Sequence, residues 1–442
     1  MDASSHFRGK KVTVMGLGLL GRGMGDIRYL AECGAELIVT DTKSAEMLAP
    51  SVDALKDIPN VTYVLGEHRL EDFQGRDLIL KAAGVPMDSE FIAEAQKNGI
   101  PVRMSADLFA EYAGIPVIGI TGTRGKSTVT HMIAAILTKA GKRVLLGGNV
   151  RGVSTLALLK EVEDDLPAQA GEIAVLELDS WQLQGFGAAH LSPSLAVFTT
   201  FYPDHLNYYK DDLAAYLTDK ANIFFYQHPG DTLVLGSQCA PIIVEKFGEA
   251  VEADIVIADE TKLPADWTLQ IPGTHNRYNA ALALAAARAA DVEDAVSREA
   301  LESFPGVEGR LQFVREVNGV KIYNDTTATT PEATLAALNA LGGNVVLIMG
   351  GNDKNLDMNK LLVEIPEHAK RVIMLAGTGT ARVLEFLPDA SVFDSLETAV
   401  AEAVKAAEPG DSILLSPAFA SFGMFKNEYD RGDQFHALVA KL

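Results

Sequence analysis

Residues 119–132 read "GITGTRGKSTVTHM", and the fold turns on how that stretch is understood. A phosphate loop of the form G-x-x-x-x-G-K-[ST] requires a glycine five positions before Gly125, where this chain has Ile120. The nearby glycines are Gly119 and Gly122 instead. The surroundings are nevertheless right. An apolar run, "PVIGITG", precedes the loop, and Val129, Met132, Ile133, Ile136 and Leu137 follow on one side of a predicted helix. In a strand–loop–helix, the N–H groups of Gly122, Thr123, Arg124, Gly125, Lys126, Ser127 and Thr128 converge on phosphate oxygens at a helix N-terminus. Lys126 then reaches the outer phosphates and Ser127 a Mg²⁺ ion. The missing glycine implies only a tighter loop.

Outward from this stretch, short apolar runs alternate with helix-like segments: "KVTVMG", "ELIVTD", "DLILKAAG", "RVLLGG", "IAVLELD", "LAVFTT", "DTLVLG", "VKIYND", "VVLIMGG", "RVIMLAG" and "SILLSP". Such alternation predicts an α/β protein built on mainly parallel sheets covered by helices, with ligands beyond the carboxyl ends of the strands. At 442 residues the chain suits about three domains. Pro/Gly-bearing segments, "NGIPVRM" and "ESFPGVEGR", place the boundaries near 104 and 306, giving domains 1–104, 105–306 and 307–442.

A formal net charge of −21 argues against nucleic acid or an anionic membrane face as partner. The two cysteines, Cys33 and Cys239, are far apart in sequence and fit a reduced cytoplasmic compartment. "MDASSHFRGKK" lacks an apolar signal core and no run reaches membrane-spanning length, so no membrane insertion is expected.

"KVTVMGLGLLGRG" places Gly16, Gly18 and Gly21 in G-x-G-x-x-G spacing after a strand, and Asp41 ends the next strand. Alone this is a Rossmann-like dinucleotide fingerprint and suggests a dehydrogenase. That reading leaves Lys126, Glu177 and His205 unexplained. In "DDLAAYLTDKANIFFYQ", Leu213, Tyr216, Leu217 and Phe224 recur at helical spacing with Lys220 on the same face, so Lys220 is expected to point inward. A lysine snorkelling to solvent would leave the same pattern.

The G-T-x-G-K-[ST] form of the loop resembles the Mur ligase family, which includes the folylpolyglutamate synthetases, and the resemblance runs along nearly the whole chain. "VLELDSWQL" is similar to the family's E-L-S-S-[FW]-Q-L, "FYPDHLNYY" to D-H-[LM]-[DN]-x-[YH], and "GTHNRYNAALAL" to G-x-H-N-x-x-N-x-x-A. "GVEGRLQFV", "YNDTTATTPEA" and "IMGGNDKNLD" resemble three later elements. "LLSPAFASFGMFKNEYDRGDQF" resembles the form particular to the D-glutamate-adding, MurD-type branch.

The resemblance implies a UDP-substrate-binding Rossmann-like domain, a central P-loop ATPase-like domain and a Rossmann-like C-terminal domain that binds the amino acid. It implies an ATP-dependent ligase of cytoplasmic peptidoglycan precursor synthesis, acting on UDP-N-acetylmuramoyl-L-alanine and D-glutamate through an acyl phosphate, expected as a monomer. Lys126, Glu177, His205 and Lys220 carry catalysis in this reading. Ser127, Glu177, His205 and a carbamate on Lys220 hold Mg²⁺, with two ions expected. ATP is met by residues 122–128 with Asn276, Asn279, Arg310 and Asp325. Leu19, Leu20, Gly21, Asp41, Thr42, Lys43 and Asn149 bind the UDP substrate; Thr329, Lys354, Ser421 and Phe422 bind the amino acid. The chain departs from the family's forms at Arg124, Asp179, Gly309, Thr327, Asn352 and Gly423, and at Ala82 in "KAAGVP", where a serine is usual. The alternatives are a same-fold ligase for another amino acid, such as L-glutamate, and a nonenzymatic nucleotide-binding subunit.

Overall fold

The computed structural model describes residues 3–19, 21–164 and 171–442. The chain forms two compact units, Met1–Leu263 with Tyr278–Arg298, and Pro264–Arg277 with Glu299–Leu442.

The first unit holds two sheets. One comprises β1 (Lys11–Met15), β2 (Glu36–Asp41), β3 (Val61–Leu65), β4 (Leu78–Lys81) and β5 (Val102–Arg103), all parallel, in the order β3-β2-β1-β4-β5. The chain winds outward from β1 to β3, then crosses to the other side of β1, so the topological switch lies between β1 and β4. The second sheet comprises β6 (Val117–Thr121), β7 (Arg143–Gly148), β8 (Glu172–Glu177), β9 (Leu195–Phe198), β10 (Thr232–Gly236) and β11 (Asp254–Ala258), in the order β11-β10-β9-β6-β8-β7 and again parallel. Val129, Met132, Ile133, Ile136 and Leu137 of the helix Lys126–Lys139 are fully buried, which accounts for their spacing.

The second unit holds β12 (Gln312–Val317), β13 (Val320–Asn324), β14 (Val345–Gly350), β15 (Ala369–Leu375), β16 (Ser391–Phe393) and β17 (Ser412–Leu415), in the order β12-β13-β17-β14-β15-β16. This sheet is mixed. β12 and β13 form an antiparallel hairpin closed by Asn318 and Gly319, both at positive φ, the turn pair that matches strand twist. β14 is buried along its length; Leu347 and Met349 join the core on one face, Val346 and Ile348 the core on the other.

The twelve apolar runs read from the sequence are all strands. The helix carrying Lys220 spans Leu213–Ala221, so Phe224 lies beyond it. Leu213, its first residue after the Asp212 cap, is exposed rather than on the inward face.

Candidate active site

The loop after β6 is tight, as the missing glycine implies. Ile120 is not part of it but a fully buried strand residue. Gly122 has φ 140°, and a Cβ there would lie 2.1 Å from Thr199 Oγ1 and 2.8 Å from Thr200 N. The segment after β9 grips the loop. Thr123 N donates to Thr200 O (2.7 Å), Arg124 N donates to Thr200 Oγ1 (2.9 Å), and the hydroxyls of Thr199 and Thr200 donate to Arg124 O (2.6 and 3.1 Å). Gly125, at φ 86°, caps the helix that begins at Lys126, leaving the first N–H groups free of intrahelical partners. A Cβ on Gly125 would come within 2.5 Å of Asn279 Oδ1, so Asn279 lies against the loop. Lys126 Nζ donates to the carbonyls of Gly122 (2.9 Å) and Thr123 (3.1 Å).

Sheet register brings Glu177 to this loop, because Glu177 ends β8 opposite Ile120 of β6. Glu177 is buried, and Asn149 stands beside it, its N donating to Glu177 O (2.7 Å) and its Nδ2 to Oε1 (3.5 Å). Asp179, where the family has serine, caps the helix Ser180–Ala189. Its Oδ1 accepts from Gln182 N (2.8 Å) while Gln182 Oε1 accepts from Asp179 N.

Lys220 points inward and is 1% exposed. Its Nζ donates to Gly122 O (2.9 Å) and Thr121 Oγ1 (3.4 Å) and lies 4.9 Å from the centre of the Tyr216 ring. Two ammonium groups, those of Lys126 and Lys220, thus share one carbonyl oxygen. Burial first, and the Lys126 charge second, draw the Lys220 amine well below the usual lysine range. His205, at φ 53°, holds its ring 4.8 Å from that of Trp181 and tilted 49° to it. Burial lowers its pKa; Asp204 opposes this, and Lys220 and Lys126 reinforce it.

These residues fit a magnesium ion bound partly by protein. Among the described residues no group of three His, Cys, Asp or Glu forms a complete cage. A buried carboxylate at the lip of a phosphate loop is the hard-oxygen ligand that Mg²⁺ takes when phosphates and water supply the rest. Like charge on the crowded Lys220 ammonium is relieved if the amine becomes an anion.

In the first sheet, Gly21 (φ 89°) caps the helix Arg22–Glu32, Leu19 is exposed, and Leu20 lies outside the described residues. Asp41 pins the glycine loop: Oδ2 accepts from Gly18 N (3.0 Å) and Oδ1 from Lys43 N (2.9 Å). Burial alone would raise this carboxyl, but those N–H groups and the Lys43 ammonium outweigh it and hold the pKa below the usual range. Thr42 and Lys43 beside it are exposed.

In the second unit, Asp325 is buried. Its Oδ1 accepts from Leu311 N (2.9 Å) and Oδ2 from Ser416 Oγ (2.7 Å); burial pushes its pKa up to about 7 against those bonds and the Arg310 charge. Lys354 Nζ donates to Thr329 Oγ1 (2.8 Å), joining two of the expected amino-acid ligands. Asn276 Nδ2 donates to Pro272 O (2.7 Å). Ser421 is buried and Phe422 exposed. Four of the departures pair up locally. Gly309 (φ 70°) leaves room for Thr327, whose hydroxyl donates to Gly309 O (2.8 Å). Gly423 (φ 100°) lies against Asn352, whose Nδ2 donates to Phe422 O (2.5 Å).

Sequence reasoning missed Thr199 and Thr200, although the paired threonines directly after "LAVF" carried the signal. It also missed Arg431, fully buried with Nη2 donating to Thr326 O (2.8 Å). Nothing local in the sequence marks Arg431 as interior.

Three family models match in succession: the Mur ligase MurD-like N-terminal domain over residues 10–104, the Mur ligase middle domain over 120–287, and the Mur ligase glutamate ligase domain over 309–419. The UDP-N-acetylmuramoylalanine–D-glutamate ligase of Roseiflexus sp. (strain RS-1) is 37% identical over 98% of both chains. The ligase of the same name from Borreliella burgdorferi (strain ZS7) is 33% identical over 97% of both. Among solved structures, UDP-N-acetylmuramate-alanine ligase MurC from Thermotoga maritima shares the fold, with a TM-score of 0.59, 19% identity, and coverage of 98% of this chain and 99% of that one. With relatives at this identity over nearly its full length, and with family models following one another along it, the chain belongs to the Mur ligase family and is of the MurD type.

Proposed function

We propose that this protein joins D-glutamate to UDP-N-acetylmuramoyl-L-alanine at the expense of ATP, giving the amide, ADP and phosphate in cytoplasmic peptidoglycan precursor synthesis. The observation that carries the reading is the phosphate cradle at Gly122–Thr128 with Lys126, Glu177 and Lys220 converging on it. The names of the relatives supply the substrates. Residues 1–104 would hold the UDP part, 105–306 ATP and 307–442 the amino acid.

In the first step an oxygen of the alanyl carboxylate attacks the γ-phosphorus and ADP leaves, forming an acyl phosphate. In the second the glutamate amine adds to the acyl carbon, and phosphate departs as the amine loses a proton. The first step brings two anions together, so its barrier is largely electrostatic. Lys126 and the N–H groups of 122–128 would bind the β and γ phosphates and oppose the charge that gathers on them. Bound Mg²⁺ would neutralise phosphate charge. Ser127, Glu177, His205 and a carbamate on Lys220 would hold it, with two ions expected. The carbamate would form when neutral Lys220 Nζ attacks CO₂ and releases a proton, a reaction favoured by the lowered amine pKa. Asn279 and Asp325 would face the nucleotide, with Asn276 and Arg310, and Lys354 with Thr329 would take a carboxylate of the incoming glutamate, beside Ser421 and Phe422.

Phosphate release measured with ATP, UDP-N-acetylmuramoyl-L-alanine and single amino acids tests the reading. Release only with D-glutamate supports it. Preference for L-glutamate moves the protein to a different ligase, and NAD-dependent absorbance change without phosphate release overturns the ligase altogether.

A further inference from the structure

Lys81 ends β4 and is 2% exposed. Its ammonium donates to three carbonyl oxygens of the turn that follows: Val85 O at 2.7 Å, and Ala82 O and Ala83 O at 3.3 Å each. That uses all three of its N–H groups. Asp179, Asp107 and Asp219 act on it through space, and burial outweighs them, bringing the amine down to about 8. Burying an ammonium without a bonded carboxylate is unfavourable, so an apolar residue would serve packing better. What lysine supplies here is the shape of the turn.

That turn lies at the topological switch. β1 and β4 are adjacent and parallel, and the segments after them, 16–19 and 82–85, flank the crevice at their carboxyl ends. The two loops touch: a Cβ on Gly16 would be 2.7 Å from Ala82 Cβ and 3.9 Å from Val85 Cγ2. Ala82 N donates to Met15 O and Val85 N to Ala82 O, so the turn is tied to β1 and to itself. In a trans peptide C=O and N–H point in opposite directions. With the carbonyls of Ala82 and Ala83 drawn onto Nζ, the N–H groups of Ala83 and Gly84 are turned away from it. Successive N–H groups presented by a turn make a concavity for an anion.

We infer that Lys81 is a positioning residue for the diphosphate of the nucleotide-sugar substrate, gathering the carbonyl oxygens of the 82–85 turn so that its N–H groups meet the phosphates. The inference rests on the reading of residues 1–104 as the UDP site. Lys81 itself has no donor left for the ligand and acts through the turn.

The test is calorimetric titration with UDP of the full-length wild type and of Lys81→Met, with the thermal midpoint recorded and KM for ATP measured on both. The expected result is a UDP Kd raised tenfold or more in a folded variant whose KM for ATP stays within twofold. A folded Lys81→Met that binds UDP within twofold of wild type overturns the inference. If the variant does not fold, the wild type decides. UDP affinity should fall several-fold between pH 7 and pH 9 as Lys81, which faces Asp179, Asp107 and Asp219, loses its proton. A flat UDP affinity overturns the inference. A wild type that does not bind UDP at any pH overturns the site reading beneath it as well.

Discussion

Replacing Gly122 by alanine tests whether the loop is shaped as described. At φ 140° a side chain is strained whatever the space, at about 1–3 kcal/mol. The new Cβ would also sit 2.1 Å from Thr199 Oγ1, 2.8 Å from Thr200 N and 3.0 Å from Thr200 O. Two of those atoms are backbone and cannot rotate away. The Thr199 hydroxyl would have to leave Arg124 O, losing a bond worth about 1 kcal/mol. The sum is about 2–4 kcal/mol of stability, and the loop must move by roughly 1 Å, enough to lower kcat/KM for ATP about 100-fold. Gly141→Ala is the control, since Gly141 (φ 78°) has nothing within 4 Å of a Cβ. It should lose only the strain, about 1–2 kcal/mol, and no activity. Urea unfolding and coupled ADP release measure both. Gly122→Ala with kcat/KM for ATP within twofold of wild type would refute the geometry of the cradle.

Lys126→Ala should abolish phosphate release while UDP-substrate binding, followed by calorimetry, changes no more than a few-fold. Lys354→Ala should raise KM for glutamate far more than KM for ATP, and an equal rise in both would move Lys354 to the nucleotide site. Lys220→Ala should lose most activity, keep its fold by circular dichroism and regain part of the rate with added acetate; near-normal activity without the acid refutes the carbamate. Asp325 is protonated more readily folded than unfolded, about 7 against 3.8, so its ionisation costs stability as pH rises between those values. Asp325→Asn, which removes that charge, should raise the unfolding free energy at pH 8 by up to about 4 kcal/mol and leave it nearly unchanged at pH 4. An equal gain at both pH values would mean that Asp325 is not the buried titrating group.

Burial explains which strands the sequence disclosed. β1, β2, β4 and the others read as apolar runs are almost all interior to their sheets, where both faces demand Val, Ile and Leu. The strands not picked out, β3, β5, β11, β12 and β16, are all edges, and nearly all their residues are half-buried or exposed, as Ile255, Val256 and Ile257 of β11 are. β12 still left a trace in Asn318-Gly319. The site divides similarly. The cradle was legible because its loop, lysine and helix are consecutive. The inward direction of Lys220 was legible from helical periodicity, whereas its bond to Gly122 O depends on a loop that only the fold brings near. Thr199 and Arg431 were not legible, since each acts on a segment brought to it only by the fold; Lys81 bonds its own chain neighbours, but an interior lysine reads in sequence like a surface one. Asp179 was legible as a departure from the family's serine, but its role in capping the helix Ser180–Ala189 shows only in the structure.

The central claim is that ATP activates the carboxylate of the UDP-linked substrate for capture by D-glutamate. It is tested most directly by supplying UDP-N-acetylmuramoyl-L-alanine with ¹⁸O in both carboxylate oxygens, together with ATP and D-glutamate, and analysing the released phosphate by mass spectrometry. Transfer through an acyl phosphate predicts one ¹⁸O in each phosphate and one in the new amide carbonyl. Phosphate carrying no ¹⁸O would contradict the account.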